Sequence, residues 1–410
     1  MFRWLIFIAI YLIVDFYAFQ TVKTVSKNKI FLAFFWIISF IVLANFIYQF
    51  TFNFDKTNGL NTTTSYAIGF LLITFIPKIV LLFFALGEDV FRVPQAAFRW
   101  FREGNSADIN YFSSRRKFIS QLAMGVAAIP FAGLLYGIYK GKFNYKVLSY
   151  ELVFEDLPDT FDNYKIVQIS DIHSGSFEKG NIEKIKYGIN LINKQNADVL
   201  VFTGDLVNNK AEEMLPWMDT FGSLKAKDGK FSVLGNHDYG DYIDWKNKEE
   251  KQQNLKALKD IHRQLGFNLL LNQNEAIVKN GQKLNIIGVE NWGAGRFKKA
   301  GDLEKAVSGV ASDAFKIVLS HDPSHWEQQI KDHKLHYHLT LSGHTHGMQF
   351  GIEIPGWLKW SPIKWRYKYW AGLYKEKGQY LNVNRGFGYL AYPGRAGIWP
   401  EITSITLKKA

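Results

Sequence analysis

Cysteine is missing from all 410 residues. Its absence rules out disulfides and thiolate metal ligands, so any metal site here must use oxygen and nitrogen donors. No internal repeat or low-complexity stretch is present either. Acidic residues are in short supply, with 37 Asp and Glu against 49 Lys and Arg, a formal net charge of +12. Such an excess can serve nucleic acid, an acidic surface or the positive-inside bias of a membrane protein. Its placement decides between these. Residues 1–143 hold 14 basic and 6 acidic side chains, and the rest of the chain holds 35 and 31. Most of the excess therefore flanks apolar runs, and a nucleic-acid partner is not expected.

Apolar residues are plentiful, at 48% of the chain with 34 Phe, and they crowd into the first 140 positions. Three runs, Trp4–Phe19, Ile30–Phe50 and Tyr66–Leu86, approach or reach the ~20 residues that span a bilayer core as a helix. A fourth, Phe118–Tyr139, is less hydrophobic and rich in Gly and Ala. The reading is a membrane region over residues 1–142, with spans at 4–21, 30–51, 65–86 and 118–139, followed by a separate domain over 143–410. Asp15 is expected at the membrane interface. Pro77 is tolerated in a packed bundle, and Lys78 must face a partner or water.

Loop charges set the orientation. The first loop holds Lys23, Lys27 and Lys29; the second holds only Lys56, offset by Asp55. The third holds Arg92, Arg99, Arg102, Arg115, Arg116 and Lys117. Loops one and three are thus inside, and the fourth helix carries everything after about residue 140 to the outer side. Lys140, Lys142 and Lys146 oppose this mildly. Ser114-Arg-Arg-Lys-Phe-Ile119 resembles the twin-arginine export signal, a route for folded proteins, which would make the export machinery a partner. The same paired Arg also satisfies the positive-inside rule.

From Phe143 onward a short apolar strand ending in a polar cluster recurs five times. Lys165–Ser170 leads to Asp171-Ile-His173, and Ala197–Thr203 to Gly204-Asp205. Phe231–Leu234 leads to Gly235-Asn236-His237-Asp238, Phe315–Ser320 to His321, and Tyr337–Ser342 to Gly343-His344-Thr-His346. Val- and Ile-rich runs of this length suit buried strands, and helical periods such as 182–196 and 246–265 lie between them. Ligands in such sheets sit beyond the carboxyl ends of the strands. Carboxylate, amide and imidazole donors suit Mn, Fe or Zn, and Mg also qualifies. Seven candidate ligands, with one carboxylate able to bridge, suit two ions. Such a pair would acidify a shared water and clamp phosphate oxygens.

Taken in this order, the five clusters resemble the calcineurin-like metallophosphoesterase family. Asn384–Gly388, Pro393-Gly-Arg395 and Pro400-Glu-Ile402 resemble the closing segment of its membrane-associated bacterial branch, while Met348 departs from that branch's usual Gly. The resemblance implies an α/β (α+β) domain of two packed mixed sheets flanked by helices, a four-layer sandwich. It also implies that Asp171, His173, Asp205 and His346 bind one metal. Asp205, Asn236, His321 and His344 would bind the other, with Asp205 as the bridge. His237 would stabilise the phosphate or protonate the leaving oxygen, and Asp238 would orient His237.

The function expected is hydrolysis of phosphomonoesters or phosphodiesters by a metal-bridged hydroxide at the bacterial inner membrane, facing outward, on envelope or lipid-linked substrates. Two alternatives stand. One is a pyrophosphate hydrolase for a nucleotide-linked lipid precursor, which needs the opposite topology. The other is a non-catalytic metal-dependent membrane module. His262, His325, His333, His336 and His338 fit no motif and read as structural. Arg385 and Arg395 could bind phosphate or make buried structural pairs. The segment 357–370 mixes four of the twelve Trp with Lys and Arg, as at a membrane interface or in a packed loop.

Overall fold

A computed structural model of the chain describes residues 2–103, 109–354 and 356–410. The side chain of Arg99, counted above in the third loop, lies outside the described residues. The chain separates into two compact units: Met1–Phe54 with Thr63–Tyr136, and Asp55–Thr62 with Gly137–Ala410.

The first unit is built from four helices, α1 (Phe2–Val25), α2 (Lys29–Thr51), α3 (Thr62–Glu103) and α4 (Ile109–Tyr139). All four contain stretches long and apolar enough to cross a membrane. Asn28 caps α2, its Oδ1 accepting the Ile30 N–H at 2.9 Å. Helix α3 continues through Pro77 and Pro94. Helix α4 starts well before the expected span, so Arg115 and Arg116 lie inside the helix rather than ahead of it.

Asp15 is buried against neighbouring helices rather than exposed near a helix end. Because α1 runs on to Val25, Asp15 falls in mid-helix and is only 1% exposed. Its Oδ1 accepts from Lys78 Nζ at 2.6 Å. Ser39 joins them: it accepts from Lys78 at 2.7 Å and donates to Asp15. Tyr11 OH donates to the Ser39 carbonyl at 3.1 Å. The partner that Lys78 requires is thus supplied from α1, and the cluster joins α1, α2 and α3 through groups that hydrocarbon cannot solvate.

The second unit is a sandwich of two six-stranded sheets. The first contains β1 (Lys146–Phe154), β2 (Lys165–Ile169), β3 (Val199–Phe202), β4 (Lys230–Ser232) and β5 (Asn268–Leu269). The second contains β6 (Gln273–Lys279), β7 (Gln282–Val289), β8 (Phe315–Ser320) and β9 (Leu339–Ser342). After a separate hairpin of β10 (Ile352–Ile354) and β11 (Leu358–Trp360), β12 (Gly372–Glu376) and β13 (Gln379–Val383) complete the second sheet. Strand β14 (Glu401–Lys409) returns to the first, between β1 and β2, parallel to one and antiparallel to the other.

Alternation along the strands separates the layers. Ile166, Val199 and Val201 meet Ile286, Ile317 and Leu319 between the sheets. Val167, Leu200 and Phe202 point the other way, against α5 (Ile182–Asn193), α6 (Met218–Gly222) and α7 (Lys248–Gln264). On α5 the buried Ile185, Ile189 and Ile192 follow the helical period. The short helices α8 (Leu303–Ala306) and α9 (Ser324–Gln328) cover the second sheet through Leu303 and Trp326. The result is two mixed sheets flanked by helices.

Removing one member of a buried ion pair leaves the other uncompensated, at a cost of about 3–5 kcal/mol. Lys78→Met is therefore expected to lower the unfolding temperature of detergent-solubilised protein by several degrees. Adding Asp15→Asn should restore most of the loss. A Lys78→Met protein as stable as the wild type would contradict this role.

Candidate metal centre

Strands β2, β3 and β4 run parallel in one sheet, and β8 and β9 run parallel in the other. Their carboxyl ends meet at one rim of the sandwich. Gln168 Nε2 donates to the Ser342 carbonyl at 2.8 Å, and the Asp171 carboxylate accepts the His344 N–H at 3.0 Å, so the two sheets are joined where the polar clusters begin.

Two groups of donors form there: Asp171, His173 and His346, and Asp205, His321 and His344. Within each group the candidate ligand atoms all lie within 4.8 Å of one another. His173 Nε2 faces His346 Nε2 at 3.0 Å, and His346 Nε2 lies 3.2 Å from Asp171 Oδ1. In the other group His321 Nε2 is 3.2 Å from Asp205 Oδ2 and 3.3 Å from His344 Nδ1. Asp205 Oδ2 is also 3.5 Å from His173 Nε2, which places this carboxylate between the groups. Asn236 Oδ1 is buried and has no hydrogen-bond partner among the described residues, while its Nδ2 donates to Tyr242 OH at 2.7 Å.

The backbone is bent to aim these groups. Asp171, His173, Asp205, His344 and His346 all adopt positive φ, between 49° and 74°. Non-glycine residues seldom do so, and clustered departures mark functional sites. The approach is close enough to need glycine beside it: a Cβ on Gly235 would lie 2.2 Å from Asp205 Oδ1.

The donors fit divalent cations. Burial pushes the Asp205 carboxyl up, but the imidazoles of His321, His237 and His173 outweigh it and hold the group well below the carboxylate range. Asp171 is likewise held low, burial being outweighed by His346 and His321. Two ionised carboxylates in a buried site demand positive charge. Burial favours the neutral, ligating form of His344 and pushes it down to about 4. For His321 the carboxylates of Asp205 and Asp171 overcome burial and push it up to about 10. Its Nδ1 lies 2.7 Å from the Thr203 carbonyl, a contact that makes Nδ1 the donor and turns Nε2 toward Asp205.

His237 sits beside these groups, its ring edge-on to His173 at 4.9 Å and tilted against Tyr242 at 4.4 Å. Its backbone N–H donates to Asp205 Oδ1 at 2.8 Å. Nδ1 lies 2.8 Å from the Asn208 carbonyl, which assigns it the proton and leaves Nε2 for chemistry. Burial lowers the pKa of this ring. Asp238 does not orient it. The Asp238 carboxylate instead accepts the N–H groups of Asp205 at 2.9 Å, Leu206 at 2.8 Å and Gly235 at 2.8 Å. The reason is local: 237–239 form a 3₁₀ turn, in which successive side chains diverge by about 120°. Asp238 thus clamps two strand-end loops, and the Asn208 carbonyl takes the orienting role.

Other residues at the site carried weaker signals. Tyr367 OH lies 2.8 Å from His344 Nε2, opposite its site-facing nitrogen. It belongs to the aromatic and basic segment 357–370, so the segment was visible in the sequence although the contact was not. Tyr242 had no motif to reveal it. Arg385 is engaged by Glu401 and by Glu353 at 2.5 Å, and Arg395 Nε donates to the Gly388 carbonyl at 2.8 Å. Arg385 thus makes buried structural pairs, whereas Arg395 Nη2 also lies 3.2 Å from His346 Nδ1 and so reaches the donor group.

Comparison with known proteins agrees with this geometry. Residues 164–348 match the family described as calcineurin-like phosphoesterase. Residues 2–142 match the domain described as "Probable Calcineurin-like phosphoesterase, transmembrane domain". The two matches describe a calcineurin-like metallophosphoesterase domain, which supports a phosphoric ester hydrolase, preceded by four helices long and apolar enough to cross a membrane. Among relatives, the metallophosphoesterase YkuE of Bacillus subtilis is 29% identical over 304 residues, covering 72% of this chain and 98% of that protein. A transmembrane protein with metallophosphoesterase domain from Danio rerio is 27% identical over 285 residues, 67% of this chain and 60% of that protein. A Helicobacter pylori metallophosphoesterase is 26% identical over 303 residues, 73% of this chain and 74% of that protein.

Asp205→Ala is expected to lower bound Mn to below one ion per chain, because Asp205 touches both groups of donors. His344→Ala should remove about one of two ions, since its ring belongs to one group only. Metal analysis after dialysis reads this, and two ions retained by Asp205→Ala would show that the carboxylate does not bridge.

Proposed function

We propose that this protein hydrolyses phosphomonoesters or phosphodiesters with two divalent ions held by Asp171, His173, Asp205, Asn236, His321, His344 and His346. The observation that carries this reading is the pair of donor groups with the Asp205 carboxylate between them. A bound pair of ions supplies an acidified water and neutralises phosphate charge. The chain's own residues do the rest. Asp205 and Asp171 hold negative charge where the ions would be held. His321 and His344 keep their outer nitrogens against the Thr203 carbonyl and Tyr367 OH, which fixes the ring planes. His237, its Nδ1 held at Asn208, turns Nε2 to the substrate to hydrogen-bond a phosphate oxygen or protonate the leaving oxygen.

The same reading places the catalytic unit outside the cytoplasm. Four spans put the second loop and everything after α4 on one side. Loop Asp55–Thr62 is part of the catalytic unit, where the Lys56 carbonyl accepts the Asp244 N–H at 2.9 Å and Asn58 Oδ1 accepts from Lys210 at 2.8 Å. The loop charges support that side being the exterior, at a bacterial inner membrane. Export by the twin-arginine route rests on Arg115-Arg116 alone. Arg115 also lies 3.7 Å from Glu88 and donates to Gln95 at 3.1 Å, contacts that give it a packing role independent of export. The membrane anchor and the segment 357–370 support envelope or lipid-linked substrates.

With Mn-loaded protein, p-nitrophenol should be released from mono- or diester model substrates. His237→Ala should lose about 10²–10⁴-fold in turnover while keeping its metal. No turnover by the wild type, or loss of metal in His237→Ala, would overturn the reading. A C-terminal reporter that works only in the cytoplasm should stay dark; a bright one would instead favour hydrolysis of a cytoplasmic nucleotide-linked precursor.

A further inference from the structure

The hairpin β10–β11 belongs to neither sheet of the catalytic unit. Its register pairs Ile352 with Trp360, Glu353 with Lys359 and Ile354 with Leu358. Alternation then divides the side chains between two faces. Glu353 accepts from Arg385, and Lys359 donates to the Ala371 carbonyl, so this face looks onto the body of the unit. Ile352, Ile354 and Leu358 occupy the other face and are exposed. At the turn Trp357 is 79% exposed, and Trp365, whose ring meets Trp360 edge-on at 6.0 Å, is 75% exposed. Large apolar side chains grouped this way mark a binding surface.

Between Glu353 and Glu376 the sequence carries charge of one sign, and Lys368 reaches Glu376 at 3.2 Å. No Asp or Glu lies between Glu353 and Glu376, whereas Lys359, Lys364, Arg366, Lys368 and Lys375 do. Lys364, Arg366 and Lys368 are exposed. Trp rings at the level of cations suit the headgroup layer of a bilayer, where the ring body is apolar and its edge is wet. The surface also borders the metal centre. Tyr367 contacts His344, the Arg366 guanidinium lies over the Phe297 ring at 5.2 Å, and that ring meets His344 edge-on at 4.9 Å.

We propose that the β10–β11 hairpin and the 361–368 turn dip into the headgroup layer of an anionic membrane, seating the metal centre over phosphoesters carried by lipids. This rests on the phosphoesterase reading above and names its substrate class. A second copy of the chain is a poorer occupant, because two such faces would oppose cation to cation.

The absence of cysteine allows a clean test. Trp357→Cys in the full-length chain is labelled with bimane and placed in phosphatidylcholine nanodiscs containing about a quarter phosphatidylglycerol. Lipids bearing a nitroxide on the acyl chain then report depth. Tyr187→Cys, on the exposed face of α5, is the control. Quenching at 357 should exceed that at 187 by about three-fold or more and weaken when phosphatidylglycerol is left out. Equal quenching at the two positions overturns the proposal, as does disulfide cross-linking of 357 to 357 between chains. Release of p-nitrophenol from soluble esters by the labelled chain reads the catalytic claim separately. Turnover without differential quenching removes the membrane contact alone; differential quenching without turnover keeps the contact and removes the lipid substrate.

Discussion

The catalytic unit is organised around one buried carboxylate. Asp205 stands at the end of β3 with His173 on one side, His321 on the other and the His237 N–H donating to it. An ionised group in such a place is costly unless it is compensated. Everything near it serves that need. Three loops bring imidazoles to it, Gly235 leaves room for it, and the Asp238 carboxylate accepts the N–H groups of Asp205, Leu206 and Gly235. The left-handed backbone at five donor residues is the strain that this convergence imposes.

The membrane unit solves the same problem with fewer parts. Lys78 and Asp15 neutralise each other among apolar helices, and Ser39 accepts from Lys78 and donates to Asp15. In both units a charge in a low-dielectric interior dictates which elements must touch. In the membrane unit Lys78 and Asp15 compensate each other within the chain. In the catalytic unit two carboxylates converge with imidazoles, of which burial pushes His173 and His344 toward their neutral forms, an arrangement that suits divalent ions.

The strand ends were legible because their chemistry is local. A run such as Lys165–Ile169 followed by Asp171-Ile-His173 announces both the strand and the polar rim beyond it. The helices α5 and α7 were legible from their apolar period. Strand β14 was not: it inserts between β1 and β2 although more than two hundred residues separate it from either, and nothing in Glu401–Lys409 names its neighbours. Asp15 was misplaced for a related reason. A charge near the end of an apolar run looks interfacial until the helix is seen to continue and the partner on α3 is found.

The sequence alone marked the candidate donors, their order and the division into an apolar half and a half rich in strand-end polar clusters, since residue type and short-range period carry that information. It also marked segment 357–370 as unusual. That Asn208 rather than Asp238 holds His237, and that Tyr367 reaches His344, were decided only by tertiary structure. These are contacts between side chains on different loops, and their distances depend on how two sheets pack and how each strand end turns. A one-dimensional pattern does not contain those angles.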